Sequence, residues 1–338
     1  MKCRLPQQSA QKRCVSCVIA PQPGQRGGSA RSMAMRSGAS QAVTRLLSLR
    51  PHAGTSPRVN TPEIFDRAAR RLRRDRAAPD FATYDFLRAH MLDGIAERLA
   101  SVTRDFIDVL DLGCFDGAFA PPPGARITRL DAGAVFADSI GGVQGEEDQP
   151  HFAEGSFDLI VSAGVLDSIN DLPGALALAR RALRPDGLFL AAFTGAGSLV
   201  TLRTALREAE AHQPAARIHP QIDVRSAGDL LMRAGFALPV ADVEPLTVRY
   251  GDVFGLMRDL RGMGATNVLR ERRALTRGAL TRAAAAFAAQ ADPDGRTPER
   301  FEIVYLTGWA PADSQPQPAR RGSGRVSLAE ALKRGSTG

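Results

Sequence analysis

The sequence predicts an α/β fold in which a mostly parallel sheet carries helices on both faces. Three observations lead there: short apolar segments that end in an acid or a turn, helical segments alternating with them, and a glycine-rich turn directly after the first strand. In sheets of this kind ligands bind at the carboxyl ends of the strands.

The elements follow in order. Thr61-Pro62-Glu63 reads as a cap, a first-turn proline and a first-turn acid, opening a helix through Ile64, Phe65, Ala68 and Leu72. Six arginines decorate it from Arg67 to Arg76, either as a solvated face or as a docking surface for an acidic partner. A second helix spans about Tyr84 to Thr103, with Phe86, Leu87, Met91, Ile95 and Leu99 at helical spacing. Strands are expected at Ile107 to Leu112, Ile127 to Asp131 and Phe157 to Ser162. A helix from about Leu172 to Leu183, a turn at Arg184 to Gly187 and a strand from Leu188 to Phe193 come next. The stretch from Ser198 to Gly278 is mixed: a helix from Leu199 to Ala211, a second around Ala227 to Phe236 and a strand at Thr247 to Tyr250. Phe301 to Leu306 alternates and is expected to complete the sheet.

Composition limits the function classes. The chain has 338 residues, 44% of them hydrophobic, and a formal charge of +8. Ten Lys/Arg and no acid fall in residues 1–60, leaving 34 basic and 36 acidic residues, a net −2, for residues 61–338. The basic charge belongs to a tail. A folded part without a basic, aromatic-interleaved face is not expected to bind nucleic acid. No apolar run reaches the 18 or so residues a membrane span requires. Residues 1–60 read as a disordered basic tail, as an organellar transit segment, or as translation upstream of a start at Met33, Met35 or later. Residues 312–338 read as a second flexible basic tail. Cys14 and Cys17 form a lone CxxC without a second pair, so no metal is expected, and Cys114 is the one cysteine of the body.

A glycine turn after the first strand allows close backbone approach to a ligand, and an acid closing the second strand can accept from both hydroxyls of a ribose. Together they describe an adenosine-type site, without the GxGxxG of dinucleotide enzymes. Val109-Leu110-Asp111-Leu112-Gly113-Cys114, Asp131, Glu154 to Ser162 and Leu183 to Gly187 resemble the successive motifs of class I S-adenosylmethionine-dependent methyltransferases. Ile64 to Arg67, Tyr84 to Leu87, Ile169 to Leu176, Arg233 to Phe236, Asp259 to Asn267 and Gly308-Trp309 resemble bacterial relatives of the mitochondrial complex I assembly factor that hydroxylates an arginine. The resemblance spans about residues 62–312. It implies a Rossmann-like class I methyltransferase fold over residues 61–311, with a helical N-terminal extension and a lid-like substrate region at 198–278.

The same resemblance implies S-adenosyl-L-methionine as cofactor. Asp111, Gly113, Cys114 and Gly117 would frame its methionine end, Asp131 would hold the ribose and Glu146 the adenine amino group, and the strand end at Ser162 would face the sulfonium. Asp167 is the candidate base, with a helix cap as its competing role. His219 and Tyr250 read as structural, while Arg258, Arg261 and Asn267 stand open between function and surface packing. Four departures from the family pattern predict an altered cofactor site. Phe115 stands where glycine is usual, and Pro121-Pro122-Pro123 must abolish most of the first crossover helix. The stretch between Asp131 and Phe157 is compressed, and Asp167 stands where relatives often have histidine.

Three functions remain open at this level. One is a methyltransferase acting on a small molecule or a protein side chain, and another is a modifier or assembly factor for a respiratory NADH dehydrogenase subunit. The third is a binding module that has lost the cofactor. The expected location is the cytoplasm in a bacterial source and the mitochondrial matrix in a eukaryotic one.

Overall fold

The computed structural model describes residues 63–150 and 152–316. The expected basic tail at 1–60 and the chain beyond residue 316 lie outside them, as do the expected cap Thr61 and Pro62. Seven strands form one sheet: β1 (Asp108–Leu112), β2 (Arg126–Asp131), β3 (Val143–Gln144), β4 (Phe157–Ala163), β5 (Leu183–Thr194), β6 (Ala237–Tyr250) and β7 (Thr297–Trp309). Their spatial order is β3-β2-β1-β4-β5-β7-β6. The first five pair in parallel, while β7 runs antiparallel to both β5 and β6. The expected mostly parallel sheet, closed by Phe301 to Leu306, is therefore present.

The sheet is covered on both sides, which explains why its central strands read as continuous apolar runs. Leu110, Ile160 and Phe189 point into one layer with Phe136, Leu176 and Phe236. Their neighbours Val109, Leu159 and Leu188 point into the other with Met91, Leu202, Phe287 and Tyr305. The described residues form eight α-helices, all but the first supplying those layers: α1 (Arg67–Ala77), α2 (Phe86–Ala100), α3 (Ala134–Ser139), α4 (Leu172–Ala182), α5 (Val200–Ala209), α6 (Val224–Arg233), α7 (Val253–Gly262) and α8 (Arg277–Ala288). Among the described residues no helix is long and apolar enough to cross a membrane.

Several expectations need correction. The first helix starts at Arg67, where Asp66 is the cap and accepts from the Ala69 amide at 2.9 Å. Ile64 and Phe65 precede it in extended chain, because Phe65 bridges to Leu269. The expected turn at Arg184 to Gly187 is instead part of β5, held by Asp186 N donating to Ala310 O at 3.0 Å and Ala310 N to Gly187 O at 2.8 Å. The strand expected at Thr247 to Tyr250 begins at Ala237 and forms the sheet's edge, so this part of the lid-like region belongs to the sheet itself. The connection from β1 to β2 contains no helix, as the three prolines require.

Candidate cofactor and substrate site

The carboxyl ends of β1, β2 and β4 gather most of the residues singled out in the sequence. Past β1 the chain turns sharply: Gly113 and Cys114 both donate to Leu130 O, at 2.8 and 3.0 Å. Gly113 has φ +82°, and a Cβ there would lie 2.5 Å from Val165, so only glycine fits. Gly117 closes the turn by donating to Cys114 O at 2.8 Å. The Cys114 side chain is fully buried, and burial pushes its thiol well above the ordinary range. Ser162, on β4, donates to Leu112 O at 2.8 Å and so ties β4 to β1.

Phe115 keeps the left-handed backbone that a glycine would favour, at φ +48°, which is strained for a phenylalanine. Its ring is 4% exposed and compensates by packing. It stacks on Phe81 at a centroid distance of 4.9 Å, meets Phe136 edge-on at 5.4 Å, and lies 3.7 Å beneath the Arg74 guanidinium.

The acids at this end are already occupied. Asp131 Oδ1 accepts from Arg74 Nε at 2.8 Å and from Gly133 N at 2.7 Å, and Oδ2 accepts from Phe115 N at 2.9 Å and from Arg74 Nη2. Arg74, followed by the two amides, holds the Asp131 carboxyl below its ordinary value despite burial. Glu146 accepts from Arg71 Nε at 2.6 Å and from Arg67 and Arg70 at 3.2 and 3.4 Å. Glu147 takes both arms of Arg70, and Asp148 both arms of Arg67. Four of the six arginines in α1 thus dock on the domain's own acids, an internal role in place of the solvated face or partner surface expected for them, while Arg76 stays exposed.

Asp111 is the exception. It is fully buried, neither carboxylate oxygen has a hydrogen-bond partner, and the nearest cation, Arg88 Nη2, is 3.8 Å away. Burial raises its pKa to about 6.

As arranged, these residues do not fit S-adenosylmethionine in the positions the sequence assigns. The carboxylate meant for the ribose hydroxyls carries four donors, the acid meant for the adenine carries three arginines, and a phenyl ring fills the turn. Asp111 alone retains acceptor capacity for a cation.

The carboxyl ends of β4 and β5 present the opposite picture. A cavity of about 370 Å³ opens beside Gly164, Asp167 and Thr194. Its walls are mostly apolar, with Leu87 and Met91 from α2, Leu202 and Leu206 from α5 and Met257 and Leu260 from α7, while Arg217, Arg261, Arg272 and Arg273 also line it. Phe115 and Arg88 line it on the side nearest the glycine turn. Asp167 accepts from the Thr194 hydroxyl, and the cap of the following helix is Asp171, so the capping role expected for Asp167 does not hold. His219 also lines the cavity and accepts at Nε2 from the Val268 amide at 3.1 Å. Burial lowers its pKa, which favours the neutral imidazole with its proton on Nδ1. Asn267 is structural at both ends, donating to Ala216 O and accepting from Leu269 N.

Sequence reasoning missed the aromatic cluster of Phe81, Phe115 and Phe136 and the arginine pairing. One signal was available: Arg67, Arg70, Arg71 and Arg74 recur on one helical face, and the chain holds one compact acidic run, Glu146-Glu147-Asp148.

The methyltransferase domain family matches residues 83–239. With the strand order, this defines a protein of the class I S-adenosylmethionine-dependent methyltransferase type. Similar proteins narrow the class. The chain is 35% identical over 290 residues to the mitochondrial arginine-hydroxylase NDUFAF5 of Danio rerio, covering 80% of this chain and 90% of that protein. The Homo sapiens protein of the same name is 35% identical over 302 residues, covering 83% and 86%. A malonyl-[acyl-carrier protein] O-methyltransferase of Laribacter hongkongensis is 34% identical over 266 residues, covering 70% and 87%. The chain belongs to the family of arginine-hydroxylase NDUFAF5, within the class I methyltransferase superfamily.

Proposed function

We propose that this chain is an S-adenosylmethionine-dependent transferase whose acceptor is a side chain of a respiratory NADH dehydrogenase subunit. The cavity at the ends of β4 and β5 carries the reading. Its apolar walls suit the aliphatic stem of a long side chain, and Asp167 suits a cationic tip. The family supports the same class of acceptor, since the relatives in Danio rerio and Homo sapiens are named arginine hydroxylases. Such a protein would work in the cytoplasm of a bacterium or in the matrix of a mitochondrion.

A carboxylate acceptor is the second reading, and one observation favours it. Arg88 is buried at the cavity wall with its Nε unpartnered.

One experiment separates the two. The full chain is incubated with S-adenosylmethionine and the subunits of its own source's NADH dehydrogenase, and peptides are read by mass spectrometry. A mass increment of a methyl group on an arginine, lost in Asp167→Asn, supports the first reading, and an oxygen increment contradicts the transfer. A methyl ester on an acidic group, lost in Arg88→Ala but retained in Asp167→Asn, supports the second. No change on any peptide contradicts both.

A further inference from the structure

We propose that Arg74 holds the cofactor site closed: its guanidinium is the resident ligand of Asp131, and S-adenosylmethionine binds only by displacing it. This rests on the reading of the chain as a transferase that uses that cofactor.

The argument begins with the acceptor capacity of one carboxylate. Two ionised oxygens offer about four lone-pair sites. At Asp131 all four are filled, two by backbone amides, Phe115 after β1 and Gly133 after β2, and two by Arg74. The Phe115 and Gly133 amides belong to the backbone that shapes the site and cannot leave without dismantling it. Arg74 is the one donor that can leave. A ribose presents two vicinal hydroxyls, matching the two sites Arg74 now occupies.

Two further features make the closure a built one. The Arg74 guanidinium lies 3.7 Å over the Phe115 ring, so the arginine and the ring form a single plug against Phe81 and Phe136. Both the guanidinium and the carboxylate are buried, at 5% and 0% side-chain exposure, so solvent offers little competition for the pair.

The rest of α1 is anchored independently. Arg67, Arg70 and Arg71 hold it to Glu146, Glu147 and Asp148. Arg74 can swing away while the helix stays docked. The Asp131 carboxylate is then freed by a side-chain movement that needs no unfolding of the helix.

The pair is also placed to report on the neighbouring cavity. Phe115, whose ring carries the Arg74 guanidinium, also lines the wall of that cavity. An acceptor that moves the ring loosens Arg74 from its aromatic support, so cofactor entry and acceptor binding are coupled through one residue.

The test is calorimetric titration of S-adenosylmethionine into the full chain and into Arg74→Ala, Phe115→Gly and the double variant Arg74→Ala/Asp131→Ala. Losing a charge-assisted competitor should tighten binding by about tenfold or more in Arg74→Ala, with the double variant losing that gain. Thermal melts monitor folding. If Arg74→Ala does not fold, Phe115→Gly reads the same plug from the other side, and tighter binding is again expected. Equal micromolar binding by the parent and every variant overturns the closure while leaving the transferase reading standing. No binding by the parent or by any folded variant overturns the closure and the transferase reading together.

Discussion

The two halves of the site face the same direction on the same sheet but are built from opposite materials. At the ends of β2 and β3, four carboxylates, each buried, meet four arginines in fully specified pairs. At the ends of β4 and β5, a cavity of about 370 Å³ has mostly apolar walls, with leucine, methionine and phenylalanine prominent among them. The difference teaches that the charged half is closed by the chain's own side chains, whereas the apolar half already has room for a ligand. An ion-paired region depends on every partner, because a buried charge left alone costs several kcal/mol. An apolar wall facing a cavity tolerates change more easily, since part of its surface is not packed to begin with.

The largest effect separating the halves is expected from Asp131→Ala. It strands Arg74 in a buried site and should lower unfolding free energy by about 3 to 5 kcal/mol, read by urea denaturation. A loss below about 1 kcal/mol would break the contrast, because it would mean that water already reaches the pair. On the apolar side, Leu202→Ala should cost about 2 kcal/mol, at the low end for a buried leucine, because its side chain already faces the cavity.

The pH dependence sharpens the comparison within the charged half. The folded pKa of Asp131 lies below the ordinary value of 3.8, so its stabilising contribution is complete above that value and is lost as pH falls through the depressed one. Asp111 has the opposite sign. Its folded pKa of about 6 lies above 3.8, so its charge destabilises the fold near neutral pH, and the penalty is relieved as pH falls from about 6 toward 4. Asp111→Asn should therefore gain stability relative to the parent between pH 5 and pH 7.5, by about 1.5 kcal/mol across that interval. Denaturation at the two pH values checks the sign, and a gain that shrinks with pH contradicts the assignment. The smallest effect is expected from Ser162→Ala, which loses one bond between β4 and β1 and should cost about 1 kcal/mol.

How legible each half was follows from the range of its interactions. The strands could be read because apolar runs such as Val109-Leu110 and Phe157 to Val161 end in turn residues, a local signal. The missing crossover helix was equally local, since three prolines cannot support it. The arginine pairing could not be placed, because Arg74 and Asp131 are 57 residues apart, and a helix rich in arginine looks the same whether it faces water or a buried acid. The cavity was harder still. Its wall joins Met91, Leu202, Met257 and Phe301, apolar residues whose spacing within each element signals only burial. Asp167 was visible as an acid near a strand end, yet only the Thr194 contact and the cavity show that it faces the open half rather than capping a helix.

The central claim is that Arg74 and the ribose of the cofactor compete for one carboxylate. A crystal structure of the full chain with S-adenosylhomocysteine at saturating concentration tests it most directly. The account predicts the ribose hydroxyls on Asp131, with the Arg74 guanidinium withdrawn and Arg67, Arg70 and Arg71 still holding α1 in place. A bound nucleoside beside an unbroken Arg74–Asp131 pair would contradict it.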